Sequence, residues 1–95
     1  MPHSLEEKKR VVTRLRRIKG QAEALARAVE QGTDCGALLQ QLSALRGATN
    51  GLMAELLESH LRETFGTAPA VAEAAAVDTQ AEIDQLMRIV RSYLK

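Results

Sequence analysis

The sequence predicts an all-α fold, because the composition is apolar but nearly free of aromatic residues, the apolar positions recur at the helical period, and capping residues stand at the helix boundaries. Hydrophobic residues make up 45% of the 95-residue chain and aromatic residues only 2%. Leu, Ala and Val with interspersed charges are typical of helices packed on helices. Residues 1–95 are expected to form one domain, and because so short a chain buries a modest fraction of its surface, we expect copies to associate.

Helix 1 is predicted over residues 5–30. Ser4 followed by Glu7 forms a capping-box pattern that places Ser4 at the N-cap. Apolar residues recur on one face of the helix from Val11 onward. Another face carries a polar stripe, which consists of Arg10, Arg14, Arg17 and Gln21. Gly32 is expected to end the helix.

Helix 2 is predicted over residues 35–65. Thr33 or Asp34 can cap it, which leaves Cys35 in its first turn. Its middle holds small residues, at Gly47, Ala48, Thr49 and Gly51. Each glycine costs a helix roughly 1 kcal/mol, so the presence of two among these small residues suggests that another helix approaches closely there.

Helix 3 is predicted over about residues 78–94. Thr79 and Glu82 offer a second capping box, and apolar residues follow at helical spacing. Residues 66–77 are rich in alanine and include Pro69, which indicates a linker or a frayed helix start.

Basic residues are concentrated at the start of the chain. Residues 1–27 hold eight of the 13 Lys and Arg but three of the 12 Asp and Glu, which gives a net charge of +5 there and −4 in the remainder. Such an asymmetry suggests a polyanion as partner. The first residues are too charged for a secretory signal and no apolar run reaches the roughly 20 residues that span a bilayer, so a cytoplasmic protein without a membrane partner is expected.

Cys35 is the single cysteine, so it is a buried hydrophobe, a reactive thiol or one ligand of a mixed site. Cys35 and His60 are 25 residues apart on helix 2, or about 37 Å, and cannot meet within one chain. In an antiparallel pair of helix 2 with its copy, Cys35 meets His60 of the partner subunit when the two-fold axis passes near position 47.5. That midpoint falls between Gly47 and Ala48, as a self-complementary interface would require.

A short turn makes helix 1 run back along helix 2, so its first residues should lie near His60. The predicted site therefore combines Pro2, His3 and His60 of one subunit with Cys35 of the partner subunit. Simpler interpretations remain for each group: Cys35 as packing, either histidine as a surface residue, and the arginine stripe as a solvated face.

Three segments carry a family resemblance: LLQQLSALRGATNGLMAELLESHLRETF at 38–65, RLRRIKGQ at 14–21, and the final YLK. They resemble the CsoR/RcnR/FrmR family of repressors over nearly the whole chain. The resemblance implies a helical hairpin that dimerises through antiparallel helix 2 into a four-helix bundle, with dimers forming a flat homotetramer. It also implies repression through GC-rich operator double-stranded DNA without a helix-turn-helix, and release by an effector. The expected DNA contacts are Arg10, Arg14, Arg16, Arg17, Lys19 and Gln21.

Within this family the start of the chain, Cys35 and the segment around His60 look most like the formaldehyde-responsive branch. Copper sensors have a second Cys where this chain has Thr64, and nickel/cobalt sensors have a His there. We therefore expect formaldehyde as the effector, acting through Pro2, Cys35 and His60 with no cofactor required. The alternative is a zinc, cobalt or nickel sensor that uses His3, Cys35 and His60. An enzyme is not expected, because no triad-like set of residues can form within one chain.

The chemistry of formaldehyde suits these groups. Removal of Met1 would expose the secondary amine of Pro2, and amines and thiolates are the nucleophiles that formaldehyde meets first. The first turn of helix 2 favours the thiolate of Cys35. A one-carbon bridge between Cys35 and the Pro2 amine of the partner subunit would then pull on helix 1, which carries the arginines.

Overall fold

The computed structural model describes residues 4–66 and 73–95 and contains three helices. Helix α1 spans Leu5–Glu30, α2 spans Cys35–Phe65 and α3 spans Glu73–Tyr93. The all-α prediction is confirmed, since the described residues contain no strand. The predicted bounds of α1 and α2 agree with the structure.

Helix α1 is closed at both ends by the residues that the sequence indicates. The backbone N–H of Glu7 donates to Oγ of Ser4 at 3.0 Å. At the other end Gly32 adopts φ +75°, while its N–H donates to the carbonyl of Val29 and that of Thr33 donates to the carbonyl of Ala28. This pair of hydrogen bonds is a Schellman motif, which turns the chain toward α2.

Helix α2 begins at Cys35 because Asp34, rather than Thr33, caps it. The carboxylate of Asp34 accepts a hydrogen bond from the N–H of Ala37 at 3.1 Å. Gly66 is the C-cap and stays in the right-handed region, so α2 ends without a left-handed glycine. The cap fixes Cys35 as the first residue of the helix.

Helix α3 begins earlier than the expected start at about residue 78, within the segment for which the sequence offered a linker or a frayed helix start. The helix begins at Glu73, five residues before the expected position, and Thr79 lies inside it instead of capping it. The segment from Glu73 onward reads EAAAV. Alanine has the highest intrinsic helix propensity, which makes a run of three alanines a better helix start than a capping pattern further along.

The three helices form a layer one helix thick. Helix α2 contacts α1 on one side and α3 on the other, and the chain measures 62 × 28 × 12 Å. Few side chains in the described part are buried, the main cluster being Ala54, Ile83 and Met87 between α2 and α3. None of the helices in the described residues is long and apolar enough to cross a bilayer.

Replacing Gly32 with Ala should lower the free energy of unfolding by about 1 kcal/mol, because the φ of +75° is unfavourable for any residue with a Cβ. Urea unfolding at fixed protein concentration measures the change. Gly20→Ala is the matched control: Gly20 is exposed inside α1 with no atom within 4 Å of an added Cβ. It should raise stability by about 0.5–1 kcal/mol, and equal effects of the two substitutions would contradict the assignment.

Candidate sensing site and nucleic-acid interface

Cys35 and His60 lie at opposite ends of α2 and on the same side of it. Both residues are exposed. Over 25 positions an α-helix completes almost seven full turns and rises about 37 Å, so the two side chains point to nearly the same side. The structure therefore keeps them apart within one chain, as the sequence spacing requires. Pro2 and His3, the other predicted sensing residues, lie outside the described residues.

The side of α2 between these two residues is largely apolar and uncovered, although Arg46 and Thr49 lie near its midpoint. We call it the apolar face of α2, and it consists of Leu39, Leu42, Met53 and Leu57, each between 36% and 60% exposed. Exposed apolar side chains continue onto the neighbouring helices at Leu15, Val29, Leu86 and Tyr93. A surface of this extent in a soluble monomer marks an interaction site.

The start of α1 lies beside the end of α2, next to His60. The hydroxyl of Ser59 donates to the carboxylate of Glu7 at 3.2 Å. Because Ser59 precedes His60 and Glu7 lies in the first turn of α1, this contact places the first turn of α1 at the histidine end of α2. The expected antiparallel course of α1 along α2 is confirmed.

The opposite side of the layer is a network of ion pairs. Glu58 accepts hydrogen bonds from Arg91 at 2.8 Å and from Nε of Arg62 at 3.2 Å, and Arg62 also pairs with Asp84. The pKa of Glu58 lies below its ordinary value despite partial burial. The hydrogen bond from Arg91 has the largest lowering effect, and the hydrogen bond from Arg62 adds to it. The hydrogen bond to Asp84 raises the pKa of Arg62. These contacts join α2 to α3.

Two of the predicted DNA-contacting residues are engaged in ion pairs with α2. Nη1 of Arg14 binds the Glu55 carboxylate, and Nε of Arg10 lies 3.6 Å from the other carboxylate oxygen. The glycine at 51 leaves space for this arrangement, since an added Cβ would lie 3.0 Å from Nη2 of Arg14. The sequence pattern does not indicate these pairs, because Glu55 is 41 residues from Arg14.

The role expected for the small residues is only partly correct. Gly51 accommodates Arg14 of its own chain, and an added Cβ at Gly47 would have no atom within 4 Å. Gly47 and Gly51 lie roughly 120° and 160° around the helix from Cys35. They are therefore not on the apolar face of α2, and the residues near the midpoint on that face are Arg46 and Thr49.

The other predicted DNA-contacting residues differ in their surroundings. Arg16 and Arg17 are exposed and form no ion pair with the described residues, whereas Lys19 lies 4.0 Å from Glu23. Gln21 is partly buried, and its Oε1 has no hydrogen-bond partner among the described residues. A shallow depression lies between Lys8, Lys9, Val12, Thr13 and Arg16. It brings Lys8 and Lys9 next to Arg16, and neither lysine was among the expected DNA contacts although both belong to the basic run KKR at 8–10.

A metal site does not form within the described part of one chain. No group of three or more His, Cys, Asp or Glu side chains there is close enough to hold an ion. The predicted set of His3, Cys35 and His60 would draw on two subunits and on a residue outside the described ranges.

Comparison with known proteins identifies the class to which this arrangement belongs. Residues 7–92 match the family described as metal-sensitive transcriptional repressors, so the chain belongs to that family. The resemblance to CsoR, RcnR and FrmR is thereby confirmed, and so is the expectation that the chain is a repressor and not an enzyme.

Individual relatives cover the chain end to end. A protein of Serratia marcescens encoded in the bioA 5′ region and described as uncharacterized is 50% identical over 95 residues, the full length of both chains. A homologue of the transcriptional repressor RcnR from Escherichia coli O139:H28 is 33% identical over the same length. A solved variant of the formaldehyde-responsive regulator FrmR from Salmonella enterica serovar Typhimurium is 50% identical with a TM-score of 0.68, covering 94% of this chain and 99% of that one.

The lowered pKa of Glu58 makes stability depend on pH in the acid range. A carboxylate with a depressed folded pKa contributes stability above its unfolded pKa and loses it as pH falls through the folded pKa. We expect Glu58→Gln to be less stable than the parent chain at neutral pH and to lose less stability on acidification, as measured by urea unfolding along a pH series. Glu30→Gln, at an exposed position outside the network, should retain the pH dependence of the parent chain; parallel curves for the parent chain and Glu58→Gln would contradict this account.

Proposed function

We propose that the chain is a formaldehyde-responsive repressor that binds operator DNA as an assembly of antiparallel dimers. The observation that supports this most directly is the placement of Cys35 and His60 at the two ends of one exposed apolar face of α2. Similarity to FrmR at 50% identity favours formaldehyde over a metal as the effector.

An antiparallel pairing of α2 accounts for the exposed side chains. When the two-fold axis passes near position 47.5, residues whose numbers add to 95 face each other. Leu42 then lies opposite Met53 of the partner subunit, and Cys35 lies opposite His60 of the partner subunit. The register that completes the sensing site is thus also the register that covers apolar side chains with apolar side chains.

The chemistry requires only the residues of this site. The Cys35 thiolate adds to the carbonyl carbon of formaldehyde, and a proton from water or a neighbouring acid gives an S-hydroxymethyl group. The secondary amine of Pro2 from the partner subunit then displaces that hydroxyl as water, which leaves a methylene bridge between sulfur and nitrogen. His60 is suited to carry the protons, since it faces the thiol in this register.

The bridge links the start of α1 to the beginning of α2 of the partner subunit. Helix α1 carries the expected DNA contacts, and the Glu7–Ser59 hydrogen bond ties its first turn to the end of α2. A pull on that turn displaces the arginines further along α1. An allosteric coupling of about 1–3 kcal/mol per site is sufficient to release an operator.

A metal-responsive repressor is the second candidate, and the description of the family favours it. The ligands would be His3 and His60 of one subunit with Cys35 of the partner subunit. A fourth protein ligand is missing because position 64 is Thr, whose hydroxyl is a poor ligand for these ions. Three ligands can still hold Zn²⁺ or Co²⁺ when water completes the coordination.

Formaldehyde should release the protein from DNA in a Cys35-dependent manner. Fluorescence anisotropy with the duplex upstream of the chain's own gene measures release during separate titrations with formaldehyde, Zn²⁺, Co²⁺ and Ni²⁺. Cys35→Ser should bind the duplex as the parent chain does and resist formaldehyde. Release by one metal with no response to formaldehyde would favour the second candidate.

Formaldehyde treatment should also join two chains through one carbon atom. Intact mass spectrometry under denaturing conditions should show a dimer heavier than two chains by one carbon for each bridge formed, one or two per dimer, lost in Cys35→Ser. Chains that retain Met1, or a carbon added without a dimer, would contradict the bridge between Pro2 and the thiol.

The register predicts the oligomeric state of two matched variants. Met53→Glu places a carboxylate on the apolar face of α2 and should lower the molar mass in solution or unfold the chain, whereas Gln40→Glu adds the same charge to an exposed position across the helix. Light scattering with circular dichroism measures both effects. A Met53→Glu chain that is folded and associates as the parent does would contradict the proposed dimer.

A further inference from the structure

The seam between α1 and α2 contains one carboxylate that two arginines of α1 share. Glu55 receives Arg14 on one oxygen and Arg10, at 3.6 Å, on the other. Its side chain is 28% exposed, compared with 37% for Arg14 and 66% for Arg10. The carboxylate is therefore the most buried of the three groups between α1 and α2, and the two arginines lie on its solvent side.

Arg10 and Arg14 bind a DNA phosphate less strongly while they are paired with the Glu55 carboxylate. A guanidinium that already binds a carboxylate offers fewer free N–H donors, and the nearby negative charge weakens its attraction for phosphate. DNA phosphates that approach α1 must therefore compete with Glu55. Neighbouring Arg16 and Arg17 meet no such competitor among the described residues.

We propose that Glu55 is a positioning residue that limits the DNA affinity of the repressor by competing with phosphate for Arg10 and Arg14. The inference rests on the proposed role of these two arginines in DNA binding. In the free protein Glu55 holds both guanidinium groups beside α2. On DNA it continues to compete for them, so Arg10 and Arg14 neutralise phosphate only in part.

The surroundings of Arg14 agree with a defined resting position. Its Nη2 lies over the backbone at Gly51, where an added Cβ would approach to 3.0 Å. The guanidinium of Arg14 therefore lies between the carboxylate of Glu55 and the backbone of Gly51. This is the position from which a DNA phosphate must draw the guanidinium away.

Glu55 is also placed to respond to events at the sensing end. It lies one helical turn before Ser59, which contacts Glu7 of α1. Glu7, Arg10 and Arg14 contact α2 at successive turns of α1, along the line where α1 packs against α2. A displacement of the start of α1 relative to α2 therefore changes the competition at Glu55 together with the contact at Ser59.

Glu55→Gln tests the competition because it removes the negative charge and keeps the size of the side chain. Binding to a fluorescein-labelled duplex from the region upstream of the chain's own gene is measured over a series of KCl concentrations. We expect the variant to bind about two- to fivefold more tightly than the parent chain. The slope of log K against log salt should become steeper by about 0.9 for each arginine that gains a phosphate.

Glu58→Gln is the matched control. It removes the same charge from the same side of the layer, but its partners Arg62 and Arg91 are outside α1. It should change affinity and slope much less than Glu55→Gln. Equal changes in the two variants would show an effect of net charge and would overturn the proposal, as would an unchanged or weaker affinity in Glu55→Gln.

A second variant keeps the test informative if Glu55→Gln does not fold. Circular dichroism monitors the folding of both variants. Glu55→Asp keeps the net charge and retracts the carboxylate by one methylene group, so it should also bind more tightly, by a smaller factor. In an Arg10→Gln background the gain from Glu55→Gln should shrink, because one of the two released cations is absent. An undiminished gain would contradict the competition.

Failure of this proposal is distinguishable from failure of the proposed function. Formaldehyde release is read on the parent chain and on Cys35→Ser, neither of which changes Glu55. A parent chain that binds the duplex and releases it with formaldehyde, combined with a Glu55→Gln variant of unchanged affinity, overturns only the role of Glu55. A parent chain without salt-dependent binding to the duplex overturns both.

Discussion

The thickness of the layer is the constraint on which the rest of the structure depends. At 12 Å in its shortest dimension the chain is one helix deep, and it has no second layer in which to bury the other side of α2. Leu39, Leu42, Met53 and Leu57 therefore remain exposed in a single chain. The described part of one chain buries only a small apolar cluster, so association would enlarge the hydrophobic core. In the proposed assembly the sensing site is complete only when two copies pair.

The two sides of the layer differ in chemical character. One side is apolar and carries Cys35 and His60 at its ends, whereas the other holds the ion pairs that fasten α1 and α3 to α2. Charged pairs at half-exposed positions add modest stability, but they fix the relative positions of the helices. The same contacts that hold α1 in place therefore also determine how its arginines are presented.

Local signals in the sequence were sufficient for α1 and α2. Ser4, Gly32 and the residues before Cys35 give caps and a turn that depend only on neighbouring residues, so their boundaries could be predicted. Helix α3 starts earlier than expected because alanine propensity outweighs a capping pattern at Thr79.

Contacts between distant parts of the chain were harder to predict. The pairing of Arg14 with Glu55 depends on how two helices are rotated against each other, and spacing within one helix contains no such information. The same limit applies to Gly51, whose role is set by an arginine on another helix.

The length of α2 has a consequence for the form of the response. The 31 residues of α2 place its two ends about 45 Å apart, so the two sensing sites of the proposed antiparallel dimer are far from each other. In the proposed mechanism each site acts on the α1 helix nearest to it, and an effector molecule at one end leaves the other end chemically unchanged. Occupancy of successive sites can therefore lower promoter affinity in steps, which gives a cell a graded readout of effector concentration.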